Sequence, residues 1–175
     1  MKLEIRQETP QDELVVHALN ASAFATDAEA RLVDVLRAGG LLTLSLVAVV
    51  GGQVVGHIAF SPIVAQAAGV AEAAGRVVPG VGLAPMAVAP SHQRRGIGGQ
   101  LIARGLQILR AEGHLFCVVL GHPDYYPRHG FIRASLHGLR WEHGHDEAFF
   151  VQALPPDGLS GVAGVVRYRP EFDLV

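Results

Sequence analysis

The chain has one cysteine, Cys117, in 175 residues, so an internal disulfide is impossible and packing alone must hold the fold. Charge is scarce: 17% of residues are Asp, Glu, Lys or Arg, and 14 basic against 16 acidic residues leave a net charge of −2. Without a basic excess, no nucleic-acid partner is expected. Long apolar runs are missing too. The longest, Leu46 to Val50 with its neighbours, falls far short of the roughly 20 residues that cross a bilayer, so no membrane partner is expected. Met1-Lys-Leu-Glu-Ile-Arg6 has no apolar stretch behind it of the kind a signal peptide carries, and a cytoplasmic location is expected. Among nine histidines only His143 and His145 stand close together. Asp146 and Glu147 follow, but no cysteine or third histidine has ligand spacing to them, so no metal is expected.

What is present is a hydrophobic half, which marks a globular chain. The length suits a single domain over 1–175, with no linker or repeat to divide it. Residues 3–8 alternate as a strand. Thr9-Pro10-Gln11-Asp12 reads as a helix start, with the helix running to about Asn20. Thr26-Asp27-Ala28-Glu29 has capping-box spacing, and its helix, with Leu32, Val33 and Leu36 on one side, stops at Gly39-Gly40. Leu42–Val50 and Gln53–Phe60 are strands joined by a Gly51-Gly52 hairpin. Residues 65–80 read as the outer end of a strand plus a loop. Gly82–Ala89 is a strand interrupted by Pro85, a residue at home in a bulge. A helix follows from Gly96 to about Glu112. Ile97, Leu101, Ile102, Gly105, Ile108 and Leu109 share its apolar face, and Gly105 implies close approach to a sheet. Leu115–Leu120 is a buried strand, Asp124–His129 a short helix, and Gly130-Phe131 returns the chain to a strand. Trp141–Glu147 reads as a polar loop; Ala148–Leu154 and Val162–Tyr168 are the last strands. The order β-α-α-β-β-β-α-β-α-β-β predicts an α/β fold: a mixed sheet with helices on both faces and a right-handed parallel crossover from Gly82 to Leu120.

The most informative segment is Ala87-Val-Ala-Pro-Ser-His-Gln-Arg-Arg-Gly-Ile-Gly-Gly-Gln-Leu-Ile102. It is a strand, a basic glycine-rich turn, and a helix start. Amides at a helix N-terminus lack partners and carry the positive end of the dipole. A turn lined with glycine lets a phosphate reach them, and Arg94 and Arg95 add charge. The expected ligand is a diphosphate. The loop lacks the Lys-Ser/Thr of a Walker sequence and the third glycine of a dinucleotide fingerprint.

The pattern Gln93-x-x-Gly96-x-Gly98 after an apolar strand resembles the pyrophosphate loop of the GCN5-related N-acetyltransferases (GNAT). A second motif, Gly121-His-Pro-Asp-Tyr-Tyr-Pro-Arg-His-Gly-Phe131, is similar to the family's aromatic, tyrosine and Gly-Phe run after its fifth strand. Gly164-Val-Val-Arg-Tyr168-Arg-Pro-Glu-Phe172 looks like the ending of a bacterial subgroup. The resemblance implies a mostly antiparallel sheet whose fourth and fifth strands splay apart, with the pantetheine arm of acetyl-CoA in the gap. Cofactor-binding positions would then be the backbone of Met86, Ala87 and Val88, together with Gln93, Arg94, Arg95, Gly96, Ile97, Gly98 and Gly99 around the diphosphate. Tyr126 would be catalytic, giving a proton to the departing thiolate. His57, Glu72 and His122 are bases by chain position only, on an equal footing with a water chain. Tyr125 reads as packing, Cys117 as an inert buried thiol, and His57 as a wall or core residue.

The implied activity is acetyl transfer from acetyl-CoA to a primary amine by direct attack in a ternary complex. The alternatives are a non-catalytic acetyl-CoA-binding module and a transferase of longer acyl groups. The acceptor would be shaped by residues 21–27 and 136–147, which favour no charge class: a small amine, an antibiotic, a peptide N-terminus and a protein lysine all remain open. The family's habit of pairing through late strands makes a homodimer possible.

Overall fold

The computed structural model describes residues 2–66 and 77–174. The chain packs as two compact units, Met1–Ser61 with Ala84–Gln107 and Pro170–Val175, and Pro62–Leu83 with Ile108–Arg169. Three long elements, β3 (Gln53–Gln66), β4 (Val77–Val88) and α3 (Ile97–Ala111), contribute residues to both.

In the first unit β1 (Leu3–Gln7) leads to α1 (Glu13–Ala23), α2 (Ala28–Ala38) and β2 (Leu44–Val50). β1 pairs antiparallel with β2, Leu3 opposite Val50, and β2 antiparallel with β3, with a bulge between Ala48 and Val49. The hairpin turns on Gly51 and Gly52, both at positive φ, which suits a two-residue connection. Opposite faces of this sheet take different helices. Val47 packs with Val16 of α1 and Val33 of α2. Leu46 faces the other way: a Cβ on Gly105 of α3 would lie 2.5 Å from Phe60 and 3.8 Å from Leu46, so the missing side chain lets α3 close on the strands. Ile97, Leu101, Ile102, Leu106 and Leu109 of α3 are buried.

The second unit carries β5 (Phe116–Leu120), β6 (Ile132–Arg133), β7 (Leu139–Trp141), β8 (Phe149–Ala153) and β9 (Gly164–Arg167). β5 runs parallel to β4, as the crossover predicts, through Val81↔Cys117 and Gly82↔Val118. β8 pairs antiparallel with β5 and β6; β9 pairs antiparallel with β3 and parallel with β7. Phe116, Val118, Phe149, Val151 and Val166 form its apolar centre.

Several elements differ from expectation. The helix expected over Asp124–His129 is a single 3-10 turn, Tyr126–His129, because Pro127 and the left-handed Gly130 leave no room for a second turn. The capping box at Thr26 does not form. Asp27 is the N-cap of α2 without a side-chain cap bond, its carboxylate being drawn instead to Arg31 at 3.2 Å. The polar loop at 141–147 begins in strand, since β7 takes Trp141. β4 begins at Val77, five residues earlier than expected. Of the span 65–80, residues 67–76 lie outside the described residues.

Candidate active site

The turn expected to take a diphosphate lies in the first unit. β4 ends at Val88, and Ala89 N–H donates to the Val55 carbonyl at 2.9 Å. A 3-10 turn, Pro90–His92, follows. The Gln93 side-chain amide donates back to the Val88 carbonyl at 3.1 Å and so ties the two ends of the loop together. Arg94 (φ +60°) and Gly96 (φ +77°) then turn the chain through left-handed backbone. Gly96 takes this conformation without strain; Arg94 does not. The helix ladder starts where Gln100 N–H meets the Gly96 carbonyl at 3.1 Å. The amides of Ile97, Gly98 and Gly99 therefore precede the first intrahelical bond and carry the positive end of α3. Arg94, Arg95 and Gly96 are exposed at this end.

Upstream, β4 pairs with β5 at Val81 and Gly82 and runs on to Val88. Pro85, joined to Ala84 by a cis peptide, offers no N–H there. Ala87 is buried, and Met86 and Val88 are half-buried.

Tyr126 lies in the second unit, buried at 8% exposure at the start of its 3-10 turn. Its ring meets Tyr125 and Phe131 edge-on, at 5.3 and 5.7 Å between centroids. Gly121 makes the seat, since a Cβ there would lie 2.2 Å from the Tyr126 ring. Burial, reinforced by Tyr125 and Cys117, pushes the phenol well above the ordinary tyrosine range, so Tyr126 keeps its proton at neutral pH. Cys117 is fully buried and its thiol is also pushed up by burial, which removes it as a nucleophile.

The three proposed bases fare differently. Glu72 lies outside the described residues. His122 is exposed. His57 has no exposed surface and sits in a chain of polar side chains that local sequence does not announce. Asn20 Nδ2 lies 3.1 Å from His57 Nδ1, and Ser45 Oγ lies 3.0 Å from Nε2. Ser45 in turn donates to Glu8, whose other oxygen takes Arg37 at 2.5 Å. Burial lowers the affinity of His57 for a proton, and Glu8 offsets this only in part. For Glu8, burial works against ionisation, yet His57, Ser45 and Arg37 together hold its carboxyl below the usual range. Residues 8, 20, 37, 45 and 57 come from five separate segments, so only strand register and the packing of α1 and α2 on the sheet bring them together.

Near His143 and His145 the structure places Trp141, with ring centroids 4.9 and 5.9 Å away. Among the described residues no group of three or more His, Cys, Asp or Glu is placed to hold a metal ion, and no helix is long and apolar enough to cross a membrane.

A family model described as an acetyltransferase (GNAT) domain matches residues 43–133. Over 172 residues the chain is 42% identical to the Escherichia coli protein named uncharacterized N-acetyltransferase YhbS, covering 97% of this chain and 98% of that one. The crystal structure of E. coli YhbS in complex with CoA superposes with a TM-score of 0.91 at 40% identity, over 99% of this chain and 93% of that one. A GNAT family acetyltransferase from Brucella melitensis, in complex with acetyl-CoA, gives 0.77 at 38% identity, over 98% and 99%. The mixed sheet, the glycine turn at the head of α3 and these relatives define an acyltransferase. The chain belongs to the GCN5-related N-acetyltransferase family.

Proposed function

We propose that this protein transfers the acetyl group of acetyl-CoA to a primary amine by direct attack in a ternary complex. The observation that carries the reading is the cluster of amides at Ile97–Gly99, placed ahead of the first bond of α3 behind a turn clamped by Gln93. Relatives at 40% and 38% identity are solved with CoA and acetyl-CoA respectively, which favours the same ligand here.

In this reading Arg94, Arg95 and the amides from Gly96 to Gly99 hold the diphosphate, with Gln93 keeping the loop in shape. The backbone of Met86, Ala87 and Val88 pairs with the pantetheine amides, and one of these N–H groups bonds the thioester carbonyl as it becomes an oxyanion. The amine nitrogen bonds to the carbonyl carbon, the C–S bond breaks, and Tyr126 gives its proton to the departing sulfur. Burial keeps the phenol protonated at neutral pH, the form that would donate, while making it a weaker acid than a free tyrosine. The proton released by the nitrogen passes to water, since His57 is sealed inside the unit.

Calorimetric titration with acetyl-CoA tests the reading. One-to-one binding, weakened about tenfold in Arg95→Glu by loss of a charged contact, is the expected result. No heat at about 1 mM ligand, the range of an affinity near −4 kcal/mol, overturns it. Steady CoA release across a panel of primary amines then separates an enzyme from a module that only holds the cofactor.

A further inference from the structure

Asn20, His57, Ser45, Glu8 and Arg37 take no part in the proposed chemistry, yet they join α1, β3, β2, the end of β1 and α2. The direction of each hydrogen bond can be read off. Asn20 Nδ2 lies 2.9 Å from the Val16 carbonyl, one turn back on α1. That contact requires an N–H, so the same nitrogen presents its second N–H to His57 Nδ1 at 3.1 Å. Nδ1 must then be the bare acceptor, which leaves the ring proton on Nε2. Nε2–H donates to Ser45 Oγ at 3.0 Å, and Ser45 O–H donates to Glu8. Glu8 Oε2 is 3.6 Å from Nε2, so Ser45 carries the close contact. The Glu8 end lies on the wall of an open cavity of about 290 Å³, with Glu13, Arg37 and Ser45. The Asn20 end is fully buried.

The sealed end has two incompatible arrangements. A proton added to the ring goes on Nδ1, where it faces the Asn20 amide, donor against donor. Asn20 Oδ1 is buried with no hydrogen-bond partner among the described residues. Turning the amide over brings this oxygen to Nδ1–H but takes Nδ2 away from the Val16 carbonyl. Protonation therefore costs α1 one of its ties. The charged groups acting on the ring are Glu8, which favours the added proton, and Arg37, which opposes it. Arg37 is itself held by Asp34 at 2.9 Å, and Asp34 takes His17 of α1 at 2.6 Å, a pair open to solvent.

We propose that Asn20 and His57 are positioning residues: their bond latches the C-terminal half of α1, and with it the acceptor-side stretch 21–27, to the sheet, and protonation of His57 loosens this end of α1 by costing it either that bond or the Asn20–Val16 bond. The consequence for the acceptor rests on the acetyltransferase reading; the latch itself does not.

The test uses the whole chain, labelled with [15N]histidine and followed by NMR. It is paired with amide hydrogen exchange at about pH 7.5 and about pH 5, the range in which histidine charges. At the higher pH His57 should carry its proton on Nε2. At the lower pH, after correction for intrinsic rates, amides of residues 17–23 should exchange about tenfold faster, the worth of one net hydrogen bond. His57→Gln keeps an acceptor for Asn20 and a donor for Ser45 but cannot titrate, so its exchange should not depend on pH. Asn20→Asp places a carboxylate beside Nδ1 and should raise the His57 midpoint by about one pH unit or more. An Nδ1–H tautomer at neutral pH overturns the proposal. So does equal protection of α1 at both pH values, or the same acid loosening in His57→Gln. Should that variant not fold, an unmoved midpoint in Asn20→Asp overturns it instead. Acetyl-CoA calorimetry at both pH values keeps the two ideas apart: no binding at either defeats the acetyltransferase reading and leaves the latch standing.

Discussion

The first unit buries a carboxylate and keeps it ionised; the second buries two phenols and a thiol and keeps them protonated. Glu8 has a side chain 7% exposed, but Arg37, Ser45 and His57 surround it, and their hydrogen bonds and charge outweigh desolvation. Tyr168 packs against Phe116, Val118 and Phe149, Tyr126 against Tyr125 and Phe131, and Cys117 is fully buried in β5. Burial sets the direction for all three; neighbouring groups reinforce it for the two phenols, while a backbone hydrogen bond from Leu83 only partly offsets it for Cys117. The same physical cost of charge in a dry interior is answered by partners in one place and by retained protons in the other. The difference separates a region whose buried charge is fixed by partners from one whose buried groups stay neutral.

The largest effect should come from removing the proposed proton donor, Tyr126. Tyr126→Phe should lower CoA release in the amine panel by roughly 10²–10⁴-fold, the usual worth of general acid catalysis. Acetyl-CoA affinity by calorimetry should stay as it is. Unchanged turnover would reduce Tyr126 to packing and remove half of the comparison. Next in size is Arg37→Ala, which strands Glu8 with its strongest counter-charge gone. A loss of about 3 kcal/mol in urea unfolding is expected, at the low end for a broken buried pair because Arg37 is 19% exposed. A negligible change would mean that Ser45 and His57 alone keep Glu8 ionised.

The smallest and sharpest test is the pH dependence of stability, because the two regions should fail on opposite flanks. His57 binds a proton less readily folded than at its ordinary value of 6.5. The unfolded chain then takes up more protons as pH falls below about 6.5, and stability drops. Glu8 adds to the loss below its ordinary 4.5. Tyr126 and Tyr168 lie above their ordinary 10.0. Here the unfolded chain releases protons that the native state keeps, so stability falls as pH rises towards and past about 10. Thermal melts across pH should show both flanks, and His57→Gln should flatten only the acid one between about pH 6.5 and 5. A slope between about pH 6.5 and 5 that survives in this variant would remove His57 as its cause; the contribution of Asp12, whose pKa Arg6 holds down, is lost only below its ordinary 3.8.

What the sequence made legible is what neighbours in the chain decide. The Gly51-Gly52 hairpin, the apolar face of α3 with Gly105 against Phe60, and the turn at Gly96 all follow from spacing and local backbone preference. The aromatic run at 125–131 marked the place of Tyr126 but not its form, since Pro127 cut the expected helix to one turn. What depends on register was hidden. His57 reads as one histidine in a strand. Only the pairing of β2 with β3, and the passage of α1 and α2 over one face, bring Asn20, Ser45, Glu8 and Arg37 to it. β7 was missed because three residues beside a histidine-rich turn carry no period; its strand character comes from pairing with β9.

The lone cysteine offers a last consequence. A chain with one thiol, fully buried in β5 and far less acidic than a free cysteine, carries its own clock. A thiol reagent in solution can react only when the second unit opens around Cys117. The labelling rate then counts those openings with no engineered probe, and comparison with and without acetyl-CoA reports whether the donor slows the breathing of the region that holds Tyr126.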